Sequence, residues 1–141
     1  MAHQTLVRPP TPAAALDLLD RSRTGLACAA HVDGPGERYV VAHLAALRAA
    51  AAVLAVRGRP RRTSGALNVW QVLPRVAPEL GEWAAFFAAG ATRRAAIEAG
   101  RADVVSAREA DDLLRAAETF GHLVAHCLDV PHRLDVPAQQ R

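Results

Sequence analysis

Arginine and histidine carry most of the chemistry open to this 141-residue chain, which has 17 arginines, no lysine and 6 histidines. An arginine fork grips phosphate or carboxylate through paired N–H donors, and a histidine exchanges protons near neutral pH. The densest basic stretch is Arg57-Gly58-Arg59-Pro60-Arg61-Arg62. Arg57, Arg59, Arg61 and Arg62, set on a glycine- and proline-bearing connector, could hold the phosphates of RNA. No aromatic residue interleaves with them to stack bases, and the codon bias of GC-rich DNA would make an ordinary solvated loop equally basic. Arg93-Arg94 is a second, weaker candidate, because adjacent helical residues point about 100° apart.

Arg115, Glu118, His122, His126 and Asp129 form a polar stripe at helical spacing near the C-terminal end. His122 and His126 lie one turn apart with Glu118 a turn earlier, as metal ligands could. The glutamate placement of the zincin motif is missing, however, and no cysteine pair joins them, so neither a metal nor any other cofactor is expected. The solvent face of an amphipathic helix accounts for the stripe. Cys28 and Cys127 form no framework and sit in apolar stretches, where free cysteine behaves as a small hydrophobe. A net charge of +3 is too modest to imply nucleic acid by itself.

Helices must position these groups. Hydrophobic residues make up 51% of the chain, and alanine supplies nearly half of them. Alanine is the best helix former and lets helix axes approach closely, whereas strands favour branched and aromatic residues. Residues 1–10 read as a loose arm. Thr11-Pro12 opens a first helix to about Ala30, carrying Leu16, Leu19, Arg23 and Leu26, and Asp33-Gly34-Pro35-Gly36 ends it. Glu37 opens a second helix to Arg57, whose apolar stripe is Val40, Leu44, Leu47, Ala51 and Leu54.

After the basic connector, a short helix runs from Leu67 to about Arg75, and Pro78 restarts the chain as a helix to Gly100 with Gly90 as a kink. Ser106 and Glu109 form a capping box that opens the last helix, which buries Leu113, Ala117, Phe120 and Val124 and ends near Leu128. Trp70, Trp83, Phe86 and Phe87 are expected to be core or interface anchors. The expected fold is all-α: an antiparallel bundle of four long helices plus one short helix over residues 11–130, with a frayed tail at 131–141. No segment resembles a signal peptide, and the longest strictly apolar run, residues 49–56, is too short to span a membrane. A cytoplasmic protein is expected.

The stretch Glu37-Arg38-Tyr39-Val40-Val41-Ala42-His43, running into Leu44-Ala45-Ala46-Leu47-Arg48-Ala49-Ala50-Ala51, resembles the second helix of the HEPN superfamily (higher eukaryotes and prokaryotes nucleotide-binding). Ala77-Pro78-Glu79-Leu80-Gly81-Glu82-Trp83, Arg93-Arg94-Ala95-Ala96-Ile97-Glu98-Ala99-Gly100 and the helix from Ser106 to Leu114 are similar in the same way. The resemblance covers roughly Pro12 to Leu128 and points to the small stand-alone bacterial members. It implies a helical bundle, with the alanine-rich segment in its centre, that pairs as a homodimer. It also implies action on RNA: many relatives are metal-independent ribonucleases using an arginine and a histidine with four to six residues between them, and others lack the pair and serve as RNA-binding or interaction modules.

Arg38–His43 and Arg115–His122 both satisfy that spacing, but about two such matches are expected by chance in a chain this rich in arginine. Arg38 and His43 lie in the segment that carries the resemblance and are the candidate catalytic pair. There His43 would act as general acid or base and Arg38 would stabilise the charged transition state. Against this, five residues turn about 140° around a helix, so the two side chains diverge unless Arg38 sits at a frayed start or a second subunit completes the site. The bland alternative places His43 at the core's edge and Arg38 in solvent. Two functions follow: an RNA-binding protein, cleaving through this pair as a homodimer, or a non-catalytic module that docks a protein partner through its helix faces.

Overall fold

The computed structural model describes residues 11–58 and 68–130, so the expectations for residues 1–10, for 131–141 and for Arg59, Arg61 and Arg62 fall outside the described residues. Five α-helices follow in order: α1 (Ala13–Ala29), α2 (Pro35–Arg57), α3 (Val69–Val76), α4 (Gly81–Glu98) and α5 (Ala107–Cys127). Single 3₁₀ turns at Pro78–Leu80 and Ala102–Val104 precede α4 and α5. Four long helices and a short one make the all-α bundle that composition and spacing predict, and no strand occurs among the described residues.

Local chemistry sets the helix ends. Pro35 and Gly36, expected in the turn, are the first residues of α2, because proline's fixed φ suits a position whose N–H has no intrahelical partner. At α3, Asn68 accepts from the Gln71 backbone while the Gln71 side chain accepts from the Asn68 backbone, a capping box the sequence reading passed over. Ser106 and Glu109 make the same reciprocal pair at α5, as expected.

The centre of the bundle is α2, which packs against α1, α3, α4 and α5. Its deepest face corrects the expected one. Of the expected stripe Leu54 is buried, but Val40, Leu44, Leu47 and Ala51 are only partly so, whereas Ala42, Ala45, Ala46, Ala49, Ala50 and Ala52 are almost completely enclosed. A helix surrounded on several sides puts its smallest side chains at the closest approaches, here with Leu44 and Leu47 toward the flanks. The same holds on α1, where Ala15, Leu19, Ser22 and Ala29 face inward and Leu16 is left exposed. There the Ser22 hydroxyl donates to the Ala45 carbonyl at 2.7 Å, and a Cβ on Gly25 would lie 3.3 Å from that of Ala45. By length and composition α2 could cross a membrane. The alanines that raise its hydropathy are the ones its neighbours close upon.

On α5, Leu113, Ala117, Phe120 and Val124 are buried as expected. Phe120 joins Trp70, Trp83 and Phe87 in one aromatic cluster with ring centroids 5.1 to 6.2 Å apart. Phe86 meets Phe87 edge-on at the rim of this cluster, with centroids 5.0 Å apart, and is 49% exposed.

Candidate functional site

Arg38 stands in the first turn of α2 and is committed to holding that turn. Its Nη1 meets Asp111 Oδ1 of α5 at 2.7 Å, Nε and Nη2 donate to the Val32 carbonyl at 3.1 and 2.8 Å, and Nη2 also donates to the Asp33 carbonyl at 3.0 Å. The fork therefore ties the α1–α2 turn to α5, and Arg38 is neither a solvated side chain nor aimed at His43.

His43 points the other way, into the contact between α2 and α4, and is wholly inaccessible to solvent at 0% exposure. Its Nε2 lies 2.8 Å from the Phe87 carbonyl and its Nδ1 lies 3.4 Å from Arg94 Nη1. A carbonyl only accepts and a guanidinium only donates, so these partners select the neutral tautomer with hydrogen on Nε2. Burial lowers the pKa of the ring below the ordinary 6.5, and the Arg94 charge adds to this, while the Phe87 carbonyl and Glu98 oppose it. Both ring nitrogens are engaged. Within one subunit the structure does not bring Arg38 and His43 to a common point.

Around His43 is a cluster that sequence reasoning did not assemble. The Tyr39 ring, one turn earlier, lies nearly parallel to the imidazole at 9°, with centroids 6.3 Å apart, and Trp70 and Phe87 meet it edge-on. The helix α4 runs without a break through Gly90. The glycine provides space: a Cβ there would lie 2.8 Å from the Tyr39 hydroxyl. Burial raises the Tyr39 pKa, with Arg93 opposing and Glu109 assisting.

Gly90→Ala would ordinarily strengthen a helix by about 1 kcal/mol. Here it is expected to cost about 1 to 2 kcal/mol, because the buried Tyr39 ring must shift. With Tyr39→Phe already in place the nearest atoms are those of His43 at 3.4 and 3.5 Å, ordinary contacts, so the same change is expected to stabilise. Urea midpoints of the four proteins measure the sign reversal.

Arg94 is the polar end of the cluster. It donates toward His43, its Nε lies 3.7 Å from Glu98 Oε1, and that Nε is buried with no hydrogen-bond partner. The 3.7 Å separation is an ion pair but too long for a hydrogen bond. Arg93 departs toward α5, meeting Glu109 at 3.2 Å. The pair is thus split between two neighbours, as the angle between successive residues requires. The arrangement can orient a guanidinium and present cationic N–H groups at the α4 surface. It does not leave His43 a nitrogen for proton transfer.

Of the connector arginines, only Arg57 is described. Its Nη1 pairs with Glu79 Oε2 at 2.8 Å and donates to the Val76 carbonyl at 3.2 Å, fastening the end of α2 to the chain before α4. The α5 stripe is largely solvent-facing, with Arg115, His122, His126 and Asp129 exposed. No group of three or more histidine, cysteine, aspartate or glutamate side chains converges among the described residues. The spacing Tyr39–His43 on α2 and Gly90–Arg94 on α4, four residues in each, was the available signal for the cluster, but nothing in one sequence says that the two stripes face each other.

No curated protein and no solved structure matches the chain. The family model described as HEPN_SAV_6107-like HEPN matches residues 29–125, from the end of α1 almost to the end of α5. The chain belongs to this HEPN family.

Proposed function

We propose that this HEPN protein binds RNA without cleaving it through Arg38 and His43. The observation that carries the second half of this reading is the commitment of both side chains to separate structural tasks: His43 is enclosed with both nitrogens engaged, and Arg38 is locked to the α1–α2 turn and Asp111. Membership in a nucleotide-binding superfamily supports RNA as the ligand, and the run Arg59, Arg61 and Arg62 supplies cations on a connector. Phosphates held by arginine release condensed counterions, so affinity should fall as salt rises.

The test is the affinity for a single-stranded RNA measured by fluorescence anisotropy across a salt series. The wild type is expected to show a negative log–log slope. Replacing Arg59, Arg61 and Arg62 by alanine together should flatten it by up to about 2 units, at roughly 0.7 per phosphate contact. RNA affinity that is absent, or that ignores salt and these substitutions, would favour a protein-interaction module instead.

A further inference from the structure

Arg94 occupies a place that satisfies only part of it. Its side chain is 22% exposed, yet its Nε is buried with no acceptor, and Glu98 Oε1 stands 3.7 Å away. A buried N–H without an acceptor has given up its hydration and gained no hydrogen bond in exchange. What holds the guanidinium inward is the approach of Nη1 to His43 Nδ1 at 3.4 Å, and Nδ1 can accept only while it carries no proton. A second partner is at hand in Glu98, one turn further along α4, whose side chain is 48% exposed. Closing the gap to that carboxylate would give Nε the acceptor it lacks.

A proton decides between the two partners. When Nδ1 takes one from solvent, His43 and Arg94 are both donors and both cations, and their attraction becomes repulsion. The ring cannot retreat. Its Nε2–H still donates to the Phe87 carbonyl at 2.8 Å, and Tyr39, Trp70 and Phe87 close around it. Arg94, a long side chain at the edge of the α2–α4 contact, is the group able to move. The charges acting on the ring are those of Arg94 and Glu98, both on α4. From α2 comes Tyr39, a phenol that burial keeps neutral, and from α3 comes Trp70, which has no charge. Glu109 of α5 acts on Tyr39 and is paired with Arg93.

We infer that His43 and Arg94 form an acid-sensitive latch, in which proton uptake at Nδ1 of His43 expels the Arg94 guanidinium from the α2–α4 contact to an outer ion pair with Glu98. Each state has its own named contact, as a two-state switch requires. In the inner state Nη1 is engaged and Nε is orphaned; in the outer state Nε is engaged and Nδ1–H of His43 meets water entering where the guanidinium stood. The latch works within the folded chain and does not depend on RNA binding.

The experiment is an NMR pH titration of the full chain, with circular dichroism at each pH to follow helical content. The His43 ring is expected to take its proton with a midpoint below the ordinary 6.5 while the chain remains helical. Nuclear Overhauser contacts between the Arg94 side chain and the His43 ring should be present at pH 8 and lost through that same transition. Arg94→Gln keeps an N–H donor near Nδ1 and removes the cation, so it is expected to raise the His43 midpoint by about 1 pH unit. Contacts that persist once His43 is protonated would overturn the inference, since Arg94 would then have stayed. A ring that takes its proton only as helical content is lost would overturn it too, because unfolding and not a latch would be the event. A midpoint unchanged in folded Arg94→Gln would remove Arg94 from the device.

Discussion

Ala49→Leu is expected to destabilise the bundle by about 3 kcal/mol, a large share of what holds a domain of this size together. Ala49 has no exposed surface and sits in the middle of α2, the helix that every other helix touches. A leucine there adds three carbons where neighbouring helices have closed on a methyl group, and close-packed interiors accommodate such additions only by moving backbone. Leu47→Ala, two residues away on the partly buried flank, should cost less, about 1 to 2 kcal/mol. A ranking from hydrophobicity alone gives the reverse order, since it counts leucine as anchor and alanine as filler. Chemical denaturation of the two variants against wild type decides between them.

His43→Ala carries the second large effect, an expected loss of about 3 kcal/mol, from a cavity among Tyr39, Trp70 and Phe87 and from an Arg94 guanidinium deprived of its acceptor. His43→Gln should lose less, because its amide can still donate to the Phe87 carbonyl.

The pH dependence separates burial from size. The folded-state pKa of His43 lies below the ordinary 6.5, so as pH falls the unfolded chain takes the proton first. The stability tied to the neutral ring is complete above 6.5 and drains away as pH drops from there toward the depressed folded value. The slope is at most about 1.4 kcal/mol per pH unit. His43→Gln should remove that part of the acid sensitivity, which thermal unfolding at a series of pH values would show. Equal acid sensitivity in wild type and His43→Gln would mean that the ring is not held neutral.

The number of helices, the lengths of the long ones and the buried face of α5 were legible because they are local properties. Leu113, Ala117, Phe120 and Val124 stand out against polar neighbours, and the Ser106–Glu109 box marks its own helix start. On α2 the contrast vanished. Nearly every residue is apolar, so the period of the leucines pointed to a stripe that, Leu54 apart, proved to be the flank, while the alanines took the centre.

The site was illegible for a different reason. Arg38 finds its carboxylate 73 positions away at Asp111, and His43 finds its carbonyl 44 away at Phe87. The angle between Arg38 and His43 could be read from helix geometry alone, and it held. What each side chain turned toward could not, and Gly90 as space for Tyr39 follows only once α2 and α4 are seen to meet.

The measurement that bears most directly on the central claim is incubation of structured and single-stranded RNA with the purified protein in excess chelator, alongside His43→Gln checked for helical content. Intact RNA in both reactions is the predicted result, since Arg38 and His43 are occupied in holding α1, α2, α4 and α5 together. Fragments produced by the wild type would contradict it, and fragments that disappear with folded His43→Gln would return the histidine to the chemistry.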